Sequence, residues 1–256
     1  MLNLSAKLST DGIVYLSPVN DEFELKYLAV RKKEGYLFSA NDVRELPVAR
    51  SNSGNWKLRA QSAERINTYI SKKATPITVL ELGCGNGWFS NYISKNANVT
   101  QVFGLDVNQF ELRLAYEAFG SNSKLQWIYA DIFNADIPKE SFDLIILNSS
   151  VHYFPDLTKL LLRLKELLNA NGEIHILDSP FYKTIQDQKS AAERTVSYFS
   201  SLGFPELSKH YTPHLFQQIT AFHPEVMYRP SFLNRIKRKL LLNSAPINPF
   251  FWFKLH

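Results

Sequence analysis

Past residue 75, apolar and polar positions settle into a regular alternation. Short apolar runs, "ITVLEL" (77–82), "QVFGLD" (101–106), "LQWIYAD" (125–131), "FDLIILN" (142–148) and "EIHILDSP" (173–180), read as buried strands. "GWFSNYISKN", "QFELRLAYEAFG" and "DLTKLLLRLKELLNANG" carry apolar residues at helical spacing. The last should begin on Asp156 as its cap and stop at Asn171-Gly172. Such an alternation predicts an α/β fold: a mostly parallel sheet with helices on both faces.

The flanks are less regular. "GIVYLSPV", "EFELKYLAV" and "GYLFS" are β-prone runs between polar turns, and they predict a small N-terminal β-rich lobe over residues 1–50. "WKLRAQSAERINTYISKK" (56–73) opens the main domain, 51–256, as a helix, with Leu58, Ile66, Tyr69 and Ile70 on one face and Pro76 beyond its end. Further on, "QKSAAERTVSYFSSLG" (188–203) reads as a helix, "LFQQITAFHPEVMYR" contains a strand, "SFLNRIKRKLLLNS" (231–244) is a basic amphipathic helix and "PFFWFKLH" is a last strand.

The 45% hydrophobic content suffices for one sizeable core, and a formal charge of +5 is far below that of a dedicated nucleic-acid binder. The single cysteine, Cys84, excludes an intrachain disulfide and a cysteine-rich zinc site. The opening "MLNLSAKLSTDG" is too polar for a secretory signal, and no apolar run reaches the length of a membrane span, so a cytoplasmic location is expected.

Chemistry concentrates where the first strand of the alternation ends, in Gly83-Cys84-Gly85-Asn86-Gly87. A side-chain-free turn ahead of a helix lets a ligand approach the backbone and the free N–H groups. A dinucleotide turn would place its third glycine where Trp88 stands. Glu81, two residues before Gly83, suits a cationic ligand better than a diphosphate. These features fit S-adenosylmethionine (SAM), which carries a sulfonium and an ammonium but no phosphate.

Over roughly residues 56–180 the chain resembles the class I SAM-dependent methyltransferases, particularly the small-molecule, methyltransferase type 11-like group. The resemblance implies a Rossmann-like, seven-stranded sheet whose last strand is antiparallel. The family's first motif falls on Glu81 to Gly87, with Trp88 following. It implies that Asp106, with Val107 beside it, receives the ribose hydroxyls, and that Asp131 meets the adenine amino group with Ile132 against the ring. Plainer roles exist for each: Glu81 as a helix cap, Asp106 as a turn former, Asp131 as a loop carboxylate, Cys84 as packing.

A hydroxyl or ammonium acceptor needs a base. In "NSSVHYFPD", Asn148, Ser149, His152 and Tyr153 lie where they can face the transferred methyl group. His152 is the candidate base, with a packing histidine as the rival reading, and Tyr153 is a pocket-lining residue. Asp178, Tyr182 and Arg194 are candidate substrate residues, residues 181–218 a candidate lid, and Trp56 and Arg59 a candidate cofactor cover. The lid histidines lack metal spacing, so no metal is expected.

A small-molecule acceptor is the expected partner, its identity beyond the sequence, as is the choice between monomer and homodimer. "RIKRK" (235–239), with its apolar neighbours, permits peripheral membrane contact without favouring it, and nucleic acid is disfavoured. The competing reading is a non-catalytic SAM-fold module acting through a protein or membrane partner. A NAD-dependent oxidoreductase is disfavoured by Trp88 and Glu81.

Overall fold

The computed structural model describes residues 9–19, 21–48, 53–230 and 248–256. In chain order the elements are β1 (Ile13–Tyr15), α1 (Asp21–Glu34), α2 (Ala40–Arg44), α3 (Ser53–Ile70), β2 (Ile77–Leu82), α4 (Trp88–Ser94), β3 (Val99–Asp106), α5 (Gln109–Phe119) and β4 (Leu125–Tyr129). There follow β5 (Phe142–Asn148), α6 (Leu157–Leu167), β6 (Leu168–Ser179), β7 (Phe181–Tyr182), α7 (Ile185–Ser201), β8 (His214–Leu215), α8 (Phe216–Thr220), β9 (Glu225–Tyr228) and β10 (Phe251–Leu255).

The main sheet runs β1-β4-β3-β2-β5-β6-β10-β9. Strands β1 to β6 pair in parallel, whereas β10 is antiparallel to both β6 and β9. The expected parallel sheet with an antiparallel last strand is thus present. It has eight strands rather than seven, because β1 extends the edge beside β4. The alternating side chains of each strand feed two separate cores. Leu80, Leu82, Ile145 and Leu147 pack on the α6 side, with Leu160 and Leu164. Val79, Leu144 and Ile146 pack on the other, with Ile66, Ile70, Phe89 and Leu112. Both faces are covered, so the strands read as continuous apolar runs.

Two expectations change. The N-terminal segment is not a β-rich lobe: its one described strand, β1, belongs to the main sheet, and residues 21–34 and 40–44 are helical. "EFELKYLAV" has the alternation of a strand, yet Glu24, Tyr27, Arg31 and Glu34 stand three, four and three apart, one helical face. Helix wins because that segment packs along α7, where Val30, Phe199 and Leu207 form a small third core. Second, α6 starts on Asp156, which accepts from the Lys159 amide at 2.9 Å, but ends at Leu167 rather than at Asn171-Gly172. Residues 168–172 already belong to β6, where the Phe142↔Leu168 pairing precedes a register shift.

Residues 181–218 contain β7, α7, β8 and part of α8 and pack over the carboxyl ends of the strands. The basic segment 231–244 lies outside the described residues. Among the described residues no helix is long and apolar enough to cross a membrane.

Candidate active site

A cavity of about 730 Å³ opens at the carboxyl ends of β2, β3, β4 and β5. Its floor is the glycine turn, and the three glycines are bare for different reasons. Gly83, Gly85 and Gly87 all have positive φ, at 77°, 50° and 72°. A Cβ on Gly83 would lie 2.5 Å from Ser150 Cβ, and one on Gly87 2.4 Å from the Trp127 ring. Those two are close approaches of protein to protein. A Cβ on Gly85 would meet nothing nearer than Glu111 Oε2 at 4.0 Å. The open cradle belongs to Gly85. Gly87, expected to bind cofactor, does not line the cavity and is buried under Trp127.

Asp106 closes one side. Its Oδ2 accepts from the Gly85 amide at 2.8 Å and its Oδ1 from the Asn108 amide at 2.9 Å. Burial raises its pKa and those amides oppose the rise. Glu81 lines the same floor, 2% exposed, and accepts from the Ser90 hydroxyl. Burial, reinforced by Asp106, pushes Glu81 up to about 8 against the effect of Ser90. Cys84, Asn86, Trp88 and Val107 also line the cavity; burial pushes the Cys84 thiol well up, which makes it packing rather than a nucleophile.

The Asp131 amide donates to Ser17 Oγ at 3.0 Å, so the chain leaving β1 steadies this loop. Its carboxylate accepts from the Phe133 amide at 3.0 Å and from Asn134 Nδ2 at 2.5 Å. Asp131 and Ile132 both line the cavity. At the end of β5, Asn148 holds a buried Oδ1 with no hydrogen-bond partner among the described residues. Ser149 follows at φ 59°, a left-handed conformation costly for a non-glycine residue.

His152 and Tyr153 sit in the 3-10 turn Val151–Tyr153 and line the cavity. The His152 ring stacks on Tyr211 at 5.2 Å, and Tyr153 Oη lies 3.0 Å from Tyr211 Oη. Burial, then Arg31, His214 and Arg59, hold His152 down to about 4, so its imidazole is neutral at physiological pH. Trp56 packs edge-on against Trp88 at 5.4 Å, and the Arg59 guanidinium covers Trp56 at 4.8 Å.

The candidate substrate residues divide. Tyr182 and Arg194 line the cavity, Arg194 exposed at its mouth. Asp178 does not. Its Oδ1 accepts from Ser62 Oγ and Asn248 Nδ2, both at 2.6 Å, which ties α3 and the chain before β10 to the end of β6. It lines a smaller cavity of about 330 Å³ that shares His152, Ser149 and Arg59 with the main one.

Sequence reasoning missed the α1 face. Tyr27, Arg31 and Glu34 line the cavity from above, with Tyr36 and Phe38 beyond them, and Glu24 accepts from the Phe110 amide. Glu111, buried and pushed up to about 7 by burial, was also missed. The three-four-three spacing on α1 was the available signal.

Residues 79–172 match the family model described as a methyltransferase domain. The match spans the glycine turn and strands β2 to β5, and the strand order agrees with the fold of SAM-dependent methyltransferases. An uncharacterized methyltransferase of Mycobacterium bovis is 29% identical over 99 residues, 39% of this chain and 49% of that protein. A malonyl-[acyl-carrier protein] O-methyltransferase of Legionella pneumophila is 26% identical over 182 residues, 68% of this chain and 63% of its own. The chain thus spans about half the length of the first of these relatives. Among solved structures, the plantazolicin methyltransferase BpumL, in complex with a desmethyl analog and S-adenosylhomocysteine (SAH), shares the fold at TM-score 0.55 and 19% identity, covering 91% of this chain and 96% of that one.

The residues fit the cofactor. The Gly85 cradle leaves room at the backbone, Asp106 is fixed beside it, and the orphaned Asn148 oxygen and buried Glu81 can accept from an ammonium.

Proposed function

We propose that this protein methylates a small-molecule acceptor held under α1 and α7, with SAM as donor. The carrying observation is the Gly85 cradle, open to the cavity while its amide is tethered to Asp106. Asp106 would hold the ribose, Asp131 and Ile132 the adenine, and Glu81, Asn148 and the backbone of Gly83 to Asn86 the amino-acid end. Arg59, flattened on Trp56 beside that floor, is offered to the cofactor carboxylate. When bound, SAM supplies an electrophilic methyl group on a cationic sulfur.

The chain's own task is alignment and exclusion of water. His152 and Tyr153 would face the acceptor. A ring held near 4 is a weak proton acceptor, so His152 serves chiefly to position the acceptor, as its stacking on Tyr211 supports. The Legionella relative is named for O-methylation of a malonyl thioester; that name lends support to a small acceptor and does not identify it.

Calorimetric titration with SAM and SAH tests the reading. Wild type should bind both, and Asp106→Ala should lose roughly 10- to 100-fold, the worth of hydrogen bonds to a charged group. Absence of heat and of thermal shift in wild type would defeat it. With an acceptor found by transfer from methyl-tritiated SAM, His152→Ala should slow turnover and leave SAH affinity within about threefold, by the arithmetic of a side chain outside the cofactor's contacts.

A further inference from the structure

Above the cofactor floor, one guanidinium stands among several phenols. The Arg31 Nε donates to Tyr27 Oη at 2.8 Å and Nη1 to Glu34 at 2.9 Å. The guanidinium lies over the Tyr27 ring at 4.8 Å and over Tyr36 at 5.4 Å. Glu34 is shared with the Tyr198 hydroxyl. Opposite, Tyr153 and Tyr211 share one hydroxyl–hydroxyl bond of 3.0 Å, which leaves the receiving phenol a hydrogen to give elsewhere.

This arrangement discriminates between acceptor classes. Tyrosine faces can bind an ammonium. Here the faces of Tyr27 and Tyr36 are already covered by the protein's own cation. Of the carboxylates on this wall, Glu34 is taken up by Arg31 and Tyr198, and the donors left over are the N–H groups of Arg31 beyond the two used and a phenol O–H of the Tyr153–Tyr211 pair. Burial keeps the Tyr211 phenol protonated, so it persists as a donor. Converging donors around a planar guanidinium suit a planar or tetrahedral oxyanion.

Building on the methyltransferase reading, we propose that the acceptor carries a carboxylate or phosphate, received by Arg31 and by the Tyr153–Tyr211 hydroxyl pair. Arg31 comes from α1 and Tyr211 from the segment after α7, so this anion subsite is completed where the two covering segments meet.

The test uses SAH-loaded full chain, with malonate, inorganic phosphate and tetramethylammonium as probes in calorimetry. Malonate, phosphate or both should bind, and tetramethylammonium should not; which anion binds tighter separates a carboxylate from a phosphate acceptor. Arg31→Gln should weaken the anion by at least about tenfold and Arg31→Lys by less, as expected when a charge-assisted fork becomes a point charge. Tyr211→Phe, which keeps the ring packing, should weaken it by about threefold to tenfold. Anion binding equal in wild type, Arg31→Gln and Tyr211→Phe, binding of tetramethylammonium alone, or no anion binding by a protein that binds SAH would overturn the proposal and leave the methyltransferase reading standing. Failure to bind SAH would take down both.

Discussion

If the glycines of the turn do different work, alanine at Gly85 and at Gly87 should fail in different assays. Both residues have positive φ, which costs an L-residue about 1–2 kcal/mol. At Gly87 the new methyl would also lie 2.4 Å from Trp127 and 2.9 Å from Ala115 Cβ. Overpacking of that kind adds roughly 1–3 kcal/mol. The total, about 2–5 kcal/mol, should lower the Tm of a chain this size by roughly 4–20 °C. At Gly85 the backbone term stands alone, giving roughly 2–8 °C. The order reverses in SAH calorimetry. The Gly85 methyl fills the cradle and should weaken SAH by more than tenfold, about 1.4 kcal/mol or more. Gly87→Ala, if studied below its melting transition, should bind SAH within a few-fold of wild type. A Gly87→Ala protein as stable as wild type, or a Gly85→Ala protein with unchanged SAH affinity, would refute the division of labour.

Two further outcomes follow from buried ionisable groups. Glu81 sits at about 8 without ligand, so an ammonium that favours its ionised form must displace a proton below that pH. SAH affinity should therefore rise from pH 6 to pH 8 and flatten above, and Glu81→Gln should remove the slope; a wild-type affinity independent of pH would contradict this. His175, fully buried, accepts from the Trp252 indole at 2.8 Å through Nδ1, and since an indole only donates, the ring is neutral and its Nε2–H faces Glu173 at 3.1 Å. Burial lowers its folded pKa from 6.5 despite Glu173, so its contribution to stability is complete above about pH 6.5 and is lost as pH falls below it. Urea midpoints between pH 8 and pH 5.5 should fall less in His175→Gln than in wild type.

The body of the fold was legible because strands buried on both faces and helices buried on one leave distinct periods. "FDLIILN" and "LTKLLLRLKEL" could not trade places. The floor of the site was legible for a similar reason: Glu81, Gly85 and Asp106 lie at strand ends, and strand order fixes where those ends meet. The upper half was not. "EFELKYLAV" carries both a strand alternation and a three-four-three helical spacing, and what decides between them, packing on Phe199 and Leu207, lies more than 160 residues away. Gly87 misled for the opposite reason. Absence of a side chain looks the same in sequence whether a ligand or a tryptophan occupies the space. Asp178 misled because its partners, Ser62 and Asn248, are joined only by the tertiary fold.

The little core of Val30, Phe199 and Leu207 stands apart from the two that sandwich the sheet. Lys33 reinforces it, donating to the Leu202 carbonyl at 2.6 Å. Helices α1 and α7 are therefore fastened to one another. Raising either by itself would strand Phe199 in water. The stretch translated early has no apolar mate until the later one emerges, so neither half of the enclosure over the cleft can be completed without the other.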